Sequence, residues 1–291
     1  VLKRRVDAAT SQKLAQAIEA HRLPGIQLVK AAQRYYPNGT LAAHPVGFVD
    51  AENKGVAGLE KFHNANLLGR SGQRTEEVTA QGTSFVRRDL PPTSGARIET
   101  TLDIALQHKV EAALAVALEE SQARSISAIV MEPQTGEILP LANAPTFDPN
   151  ARMRGDEEFA RRNRAVSDTY EPGSVFKLVT YAAAIEEGLA TPDEKIDCRT
   201  ITIGSRVKHD DHPGVYTVAE ALAKSSNVGA MRIAQRIVQA RGKEKYAEYI
   251  SRFGFGHKTG VDLPAEASGR VKPVNQWQEI SLGSIPVGYE V

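Results

Sequence analysis

Apolar positions along the chain fall into short runs of two periods. Over residues 8–21, Leu14, Ala17 and Ile18 recur at helical spacing and Gly25 follows as a stop, so a helix is expected there. Over residues 35–81 the pattern breaks at Pro37-Asn38-Gly39, Gly47, Gly55, Gly58, Gly69 and Gly72, which reads as turns within an irregular small domain. Residues 88–95, with Pro91-Pro92-Thr93-Ser94-Gly95, combine turn formers with polar side chains and set the expected boundary between a domain 1–95 and a domain 96–291. In the second domain, residues 98–102 read as a strand. Asp103 can cap a helix that ends near Arg124, with Ile104, Val110, Ala113, Leu114 and Leu118 as its apolar stripe. Residues 127–131 and 138–142 alternate as two strands, and the six residues from Glu132 to Glu137 suit an antiparallel hairpin. A polar, Arg-rich loop over 150–164 precedes helical segments at 175–187 and 217–239, the second opened by the capping box Thr217-x-x-Glu220. No internal repeat is visible. Helices interleaved with antiparallel strands make the expected class α+β.

Composition narrows the picture. The 291 residues fit about two domains, and 41% hydrophobic with 24% charged residues excludes disordered, collagenous and coiled-coil chains. Lys+Arg 36 against Asp+Glu 35 leaves a net charge of +1, which gives no basic excess for nucleic acid or an anionic membrane surface. The lone Cys198 cannot form an internal disulfide or a cysteine zinc site, and is expected as a buried thiol. The longest apolar runs, 180–185 and 219–223, fall well below the ~20 residues that span a bilayer. The chain starts at Val1, and residues 2–6 with two Arg and a Lys do not read as a signal peptide, so the sequence is expected to begin inside a longer protein.

Two clusters carry candidate chemistry. In Glu171-Pro172-Gly173-Ser174-Val175-Phe176-Lys177 a serine follows Pro-Gly at the start of an apolar helix, and a lysine sits three residues on, one turn away on the same face. A helix N-terminus and burial both disfavour an ammonium, so Lys177 is a candidate base for Ser174, whose backbone N–H is free to face an oxyanion. Such a tetrapeptide also arises by chance, as a cap followed by a solvated lysine. The second cluster, Lys224-Ser225-Ser226-Asn227-Val228-Gly229, interrupts an apolar helical segment; a helix-to-helix turn explains it when taken alone, whereas beside Ser174 and Lys177 it reads as part of a site.

Together these stretches resemble the class B penicillin-binding proteins, serine D,D-transpeptidases of the β-lactamase-like fold. The resemblance also covers Arg34-Tyr35-Tyr36-Pro37-Asn38-Gly39, Gly55-Val56-Ala57-Gly58-Leu59-Glu60, Thr100-Thr101-Leu102-Asp103, Thr135-Gly136-Glu137-Ile138, and Phe253-Gly254-Phe255-Gly256 with Gly260-Val261-Asp262-Leu263-Pro264, all in family order. It is most similar to the cell-division branch. The resemblance implies an irregular pedestal or dimerisation domain (1–95), followed by the N-terminal portion of a transpeptidase domain (96–291) with an antiparallel sheet flanked by helices. It further implies that Ser174 is acylated by the D-Ala-D-Ala end of a peptidoglycan stem peptide or by β-lactams. Lys177 would take the serine proton, Ser225 relay it to the leaving amine, and Asn227 hold the substrate amide and the Lys177 side chain. No cofactor or metal is implied. The implied partners are stem peptides, β-lactams, a lipid-II glycosyltransferase and division proteins, on the outer face of a bacterial cytoplasmic membrane. A non-catalytic β-lactam or peptidoglycan sensor, or a division scaffold, is the alternative with the same fold; a β-lactamase would need a deacylating base that the sequence does not identify.

The family's Lys-Ser/Thr-Gly motif lies on an edge strand near the carboxylate of the substrate. Lys258-Thr259-Gly260 matches its letters but sits among turn residues too early in the family order, so the motif is expected beyond Val291. The same resemblance implies an anchor and an Arg-Gly stretch ahead of Val1, and with them a partner for Glu60 that this chain lacks. Lys208-His209-Asp210-Asp211-His212 has the letters of a metal cluster, but neighbouring loop side chains do not converge on one ion, so it is expected as a solvated loop. Trp277 is expected to anchor packing, and Asn38-Gly39-Thr40 to form a turn.

Overall fold

The computed structural model describes residues 6, 8–23, 25–29, 33–78, 84–151 and 158–291. The 2–6 stretch, apart from Val6, and residues 152–157 of the Arg-rich loop lie outside these. Two compact units divide the chain, one of residues 1–165 with 262–264 and one of residues 166–261 with 265–291.

The first unit opens with α1 (Ala8–Ala20), the helix expected over 8–21. Short helices α2 (Ala43–Val46), α3 (Gly58–Phe62) and α4 (Asn64–Leu67) then alternate with turns, as the glycine punctuation requires, before the antiparallel ribbon β1 (Gln73–Val78) and β2 (Ser84–Leu90). Tyr36, Ala43 and Phe48 form a small core with Phe147, so residues on both sides of position 95 share one apolar cluster. Glu60 is buried, and the Arg34 fork grips it, Nε on Oε1 at 2.6 Å and Nη2 on Oε2 at 2.9 Å, while the Tyr36 hydroxyl donates to Oε1. The partner expected ahead of Val1 is therefore supplied from within the chain, because a buried carboxylate needs a nearby cation and hydrogen bonds to remain charged.

Asp103 caps α5 (Ile104–Ser121), its Oδ1 accepting from Leu106 N at 2.9 Å. Val110, Leu114 and Leu118 pack on Ala142, Ala144, Ile126 and Ala128 of the hairpin β3 (Ile126–Met131) and β4 (Ile138–Ala144), whereas Ile104 and Ala113 of the expected stripe face solvent. Gln107 fits the helix to the sheet: it is fully buried, and its amide donates to Leu141 O and accepts from Leu141 N, standing in for a neighbouring strand. The strand expected at 98–102 does not form. Among the described residues it attaches to β4 through the bond from Thr101 Oγ1 to Ile138 O alone, with Asp103 N to Leu139 O just past its end, too few for a ladder. Helix α6 (Glu158–Arg161) follows, and α7 (Arg164–Ser167) leads out of the unit.

The second unit is built around helices. After a 3₁₀ turn (Gly173–Phe176) comes α8 (Lys177–Glu186), then the ribbons β5 (Lys195–Asp197) with β8 (Val215–Thr217) and β6 (Thr200–Ile203) with β7 (Arg206–His209). The capping box forms as expected, but the segment it opens is broken: α9 (Val218–Ala223) stops at the Lys224–Ser226 turn and α10 (Asn227–Arg241) starts anew, followed by α11 (Lys243–Arg252). Val228, Ala230, Ile233, Ala234 and Ile237 of α10 are shielded from water and pack with Val179 and Ala183 of α8 and Tyr246 and Ile250 of α11. Trp277 sits in this core, its ring edge-on to Tyr246 and its Nε1–H donating to Lys272 O; Cys198 is a buried free thiol.

Candidate active site

Ser174 lies in the 3₁₀ turn that leads into α8, and its side chain faces solvent. Beneath it Phe176 is buried edge-on to Phe255 at 4.9 Å, which gives the Phe253-Gly254-Phe255-Gly256 stretch a role in seating the serine turn. Gly173 N donates to Gly288 O at 3.1 Å, and Glu290 N to Glu171 Oε1, tying the start of this turn to the segment around Gly288. Gly288 has φ of +88°, and a Cβ there would stand 2.1 Å from Gly173 O, so only glycine permits this approach. Sequence reasoning did not single out Gly288; nothing in a Val-Gly-Tyr triplet announces a close contact with so distant a segment.

Lys177 is the first residue of α8 and 1% exposed. Its amine donates to Ser225 O at 2.5 Å and to Ser225 Oγ at 3.0 Å. Burial lowers its proton affinity below the ordinary lysine value, opposed by the charges of Asp210 and then Asp211. The structure therefore brings Lys177 and Ser225 together. Ser174 precedes the lysine by one turn, and among the described residues its hydroxyl makes no hydrogen bond to Lys177. Asn227, the first residue of α10, is half-buried, and the lysine bonds Ser225 rather than Asn227.

Ser225 has φ of +55°, uncommon for a side chain of this kind, and this left-handed residue makes the break between α9 and α10. Ser226 caps α10, its hydroxyl oxygen accepting from Gly229 N at 2.8 Å. A Cβ on Gly229 would come within 2.9 Å of Ser226 Oγ and of the Tyr181 hydroxyl and 3.1 Å of Cys198 Sγ.

One expectation changes here. The loop read as solvated keeps His209, Asp211 and His212 exposed, but Asp210 is 9% exposed, drawn in because its carboxylate accepts the Ser226 hydroxyl at 2.6 Å, Val228 N at 2.9 Å and His212 N at 3.1 Å. Its letters give no sign of this, since Asp210 and Asp211 are adjacent and identical in type. Among the described residues no group of three or more His, Cys, Asp or Glu side chains is placed to hold a metal. Lys258-Thr259-Gly260 lies outside any strand, and Glu266 occupies its donors: Thr259 N at 2.7 Å, Thr259 Oγ1 at 2.5 Å and Gly260 N at 3.2 Å.

An α+β chain with a serine and a buried lysine at one helix start matches known proteins along its whole length. The penicillin binding protein transpeptidase domain matches residues 126–291 and the penicillin-binding protein dimerisation domain residues 1–100. The chain belongs to the penicillin-binding protein transpeptidase family. It is 36% identical to penicillin-binding protein PbpB of Mycolicibacterium smegmatis, over 99% of this chain and 44% of that protein, and 33% identical to the probable peptidoglycan D,D-transpeptidase PenA of Neisseria gonorrhoeae, over 99% and 49%. Among solved structures, penicillin binding protein 3 from Mycobacterium tuberculosis superposes with a TM-score of 0.75 at 37% identity, over 88% of this chain and 54% of that one, and has been determined with aztreonam and with ampicillin. The chain spans about half the length of these relatives. No helix among the described residues is long and apolar enough to cross a membrane.

Proposed function

We propose that the full-length protein cross-links peptidoglycan by serine acyl transfer, with Ser174 as nucleophile. The observation that carries this reading is the buried Lys177 amine, one turn from the exposed Ser174 and 3.0 Å from the Ser225 hydroxyl. Burial favours the neutral amine, which is the form able to accept a proton. In the acylation step Ser174 Oγ attacks the penultimate D-Ala carbonyl carbon while its proton passes to Lys177. The C–N bond to the terminal D-Ala then breaks, and the departing amine takes a proton relayed from Lys177 through Ser225. An amine of a neighbouring stem reverses these movements and receives the acyl group. Asn227, at the mouth of α10, holds the substrate amide. β-Lactams acylate the same oxygen, a reading supported by the aztreonam and ampicillin complexes of the M. tuberculosis neighbour.

The names of the relatives support placement in the cell-division branch and at the bacterial envelope. We further propose the outer face of the cytoplasmic membrane as its place, with an N-terminal anchor and a lipid-II glycosyltransferase among its partners. The two family matches support the division into a pedestal, 1–95, and a transpeptidase portion, 96–291. The test is the intact mass of the full-length protein before and after a penicillin, followed by transfer of a stem-peptide acyl group to a D-amino acid. One drug mass on Ser174, lost in Ser174→Ala, together with D-Ala release and transfer, is expected. Labelling that survives Ser174→Ala overturns the assignment, and labelling without transfer replaces it with a sensor.

A further inference from the structure

Behind Lys177 and Ser225 lies a buried polar layer that the proposed reaction does not use: Asp210, Ser226, Cys198 and the Tyr181 hydroxyl, the last buried without a hydrogen-bond partner among the described residues. Within it Asp210 does the most. Its Oδ2 accepts both the Ser226 hydroxyl and Val228 N, and Ser226 Oγ in turn accepts Gly229 N, so this pair takes the N–H groups that the first turn of α10 leaves free. The same two residues flank the strained position. Ser225, at φ +55°, holds a conformation that persists only where its surroundings over-determine it, and that conformation aims both its carbonyl and its hydroxyl at the Lys177 amine. The backbone bonds Ser225 N to Leu222 O and Ser226 N to Ala221 O hold the turn from the α9 side; from the α10 side it is held through Asp210.

We propose that Asp210 is a positioning residue for this acyl transfer, its buried carboxylate seating the Ser225–Asn227 turn against Lys177 and setting a negative charge behind the lysine. The proposal rests on the reading of Ser174 and Lys177 given above. Three observations support it: the three donors converging on one carboxylate, the left-handed serine next to its anchor, and Gly229, whose missing side chain leaves the space in which Ser226, Tyr181 and Cys198 meet. The charges that face Lys177 are those of Asp210 and Asp211, both from the loop after β7, and both favour its protonated form. Facing Asp210 from the other elements are Tyr181 of α8 and Cys198, and burial pushes the proton affinity of each upward, so both stay neutral beside the carboxylate. Against the cost of burial, the Ser226 hydroxyl, His212 N and Val228 N hold Asp210 ionised, below the ordinary carboxylate range.

The experiment measures the second-order rate of acylation of the full-length protein by a fluorescent penicillin across the neutral and alkaline range, with Ser174→Ala as the blank. In Asp210→Asn the plateau rate is expected to fall about tenfold to a hundredfold, the scale set by small misplacements of catalytic groups. Its acid limb moves to lower pH, because removing the anion makes Lys177 easier to deprotonate. In Ser226→Ala the plateau falls while the acid limb stays at the wild-type position, since the charge remains. A wild-type plateau in Asp210→Asn overturns the proposal, and so does a lowered plateau with an unmoved limb, which leaves a carboxylate that only supports the fold. Where Asp210→Asn does not accumulate as folded protein, Ser226→Ala decides: a wild-type plateau overturns, a lowered one supports. Wild-type protein that is not labelled at Ser174 overturns the functional reading itself, an outcome distinct from any of these.

Discussion

Gly288→Ala perturbs the serine turn without touching a residue that takes part in chemistry. Two costs act at this position. The backbone φ of +88° is one that an alanine adopts at a cost of about 1–2 kcal/mol. The added Cβ would stand 2.1 Å from Gly173 O and 2.6 Å from Gly173 N, whereas nonbonded heavy atoms settle at roughly 3.5 Å, so a gap of about 1.4 Å has to open at the carbonyl oxygen. Both atoms belong to the backbone immediately before Ser174, and the bond from Gly173 N to Gly288 O breaks as the gap opens. A displacement of about 1 Å at a nucleophile costs on the order of a hundredfold in rate. Gly188→Ala is the control, since Gly188 shares a positive φ of +67° but a Cβ there meets nothing within 4 Å. The assay pairs a thermal melt with the rate of penicillin acylation of the full-length protein. Gly188→Ala should lose about 1 kcal/mol of stability and keep its acylation rate, while Gly288→Ala should lose both stability and roughly two orders of magnitude in rate. Equal acylation rates in the two variants would refute the argument that contact at Gly173, rather than backbone strain, is what Gly288 provides.

Other outcomes follow from individual groups. His44 is 4% exposed; burial, reinforced by the Arg164 charge, lowers its pKa from 6.5 to about 4 against the opposing bond from Nε2–H to Ala160 O. Because the unfolded chain binds this proton more readily, about 3 kcal/mol of stability present above pH 6.5 is lost as pH falls to 4. Melting curves of wild type and His44→Gln over that window check this, and parallel acid losses in the two would exclude His44 as the cause. Tyr246→Phe removes the hydroxyl bonded to Thr180 Oγ1 at 2.6 Å inside the core and should destabilise by about 1–2 kcal/mol in a denaturant titration. Asn227→Ala should slow β-lactam labelling while leaving it on Ser174, whereas His209→Ala, at an exposed position outside the site, should label at the wild-type rate; mass spectrometry of timed samples reads both.

Much of the local structure was legible in the chain because short-range rules govern it. The Asp103 cap, the Thr217–Glu220 capping box and the hairpin from Ile126 to Ala144 each depend on residues a few positions apart, and each formed where the pattern placed it. The spacing from Ser174 to Lys177 and the polar break at Ser225 likewise announced the two halves of the candidate site. Expectations failed where a residue's fate depends on a distant partner. The stretch at 98–102 has strand-like letters but, among the described residues, attaches to β4 through Thr101 Oγ1 alone, and Glu60 gained Arg34 as its partner although the family resemblance pointed ahead of Val1.

What the sequence determined by itself was the capped helix starts at Asp103 and Thr217, the hairpin over 126–144 and the chemical groups available, since propensity, capping and period act within a few residues. Tertiary structure alone decided which of two adjacent aspartates is buried, that Lys177 meets Ser225 across 48 positions, and that Gly288 has to be a glycine. Those outcomes depend on burial and on close approach between distant segments, where the cost of an unpaired charge or a misplaced Cβ exceeds any local preference.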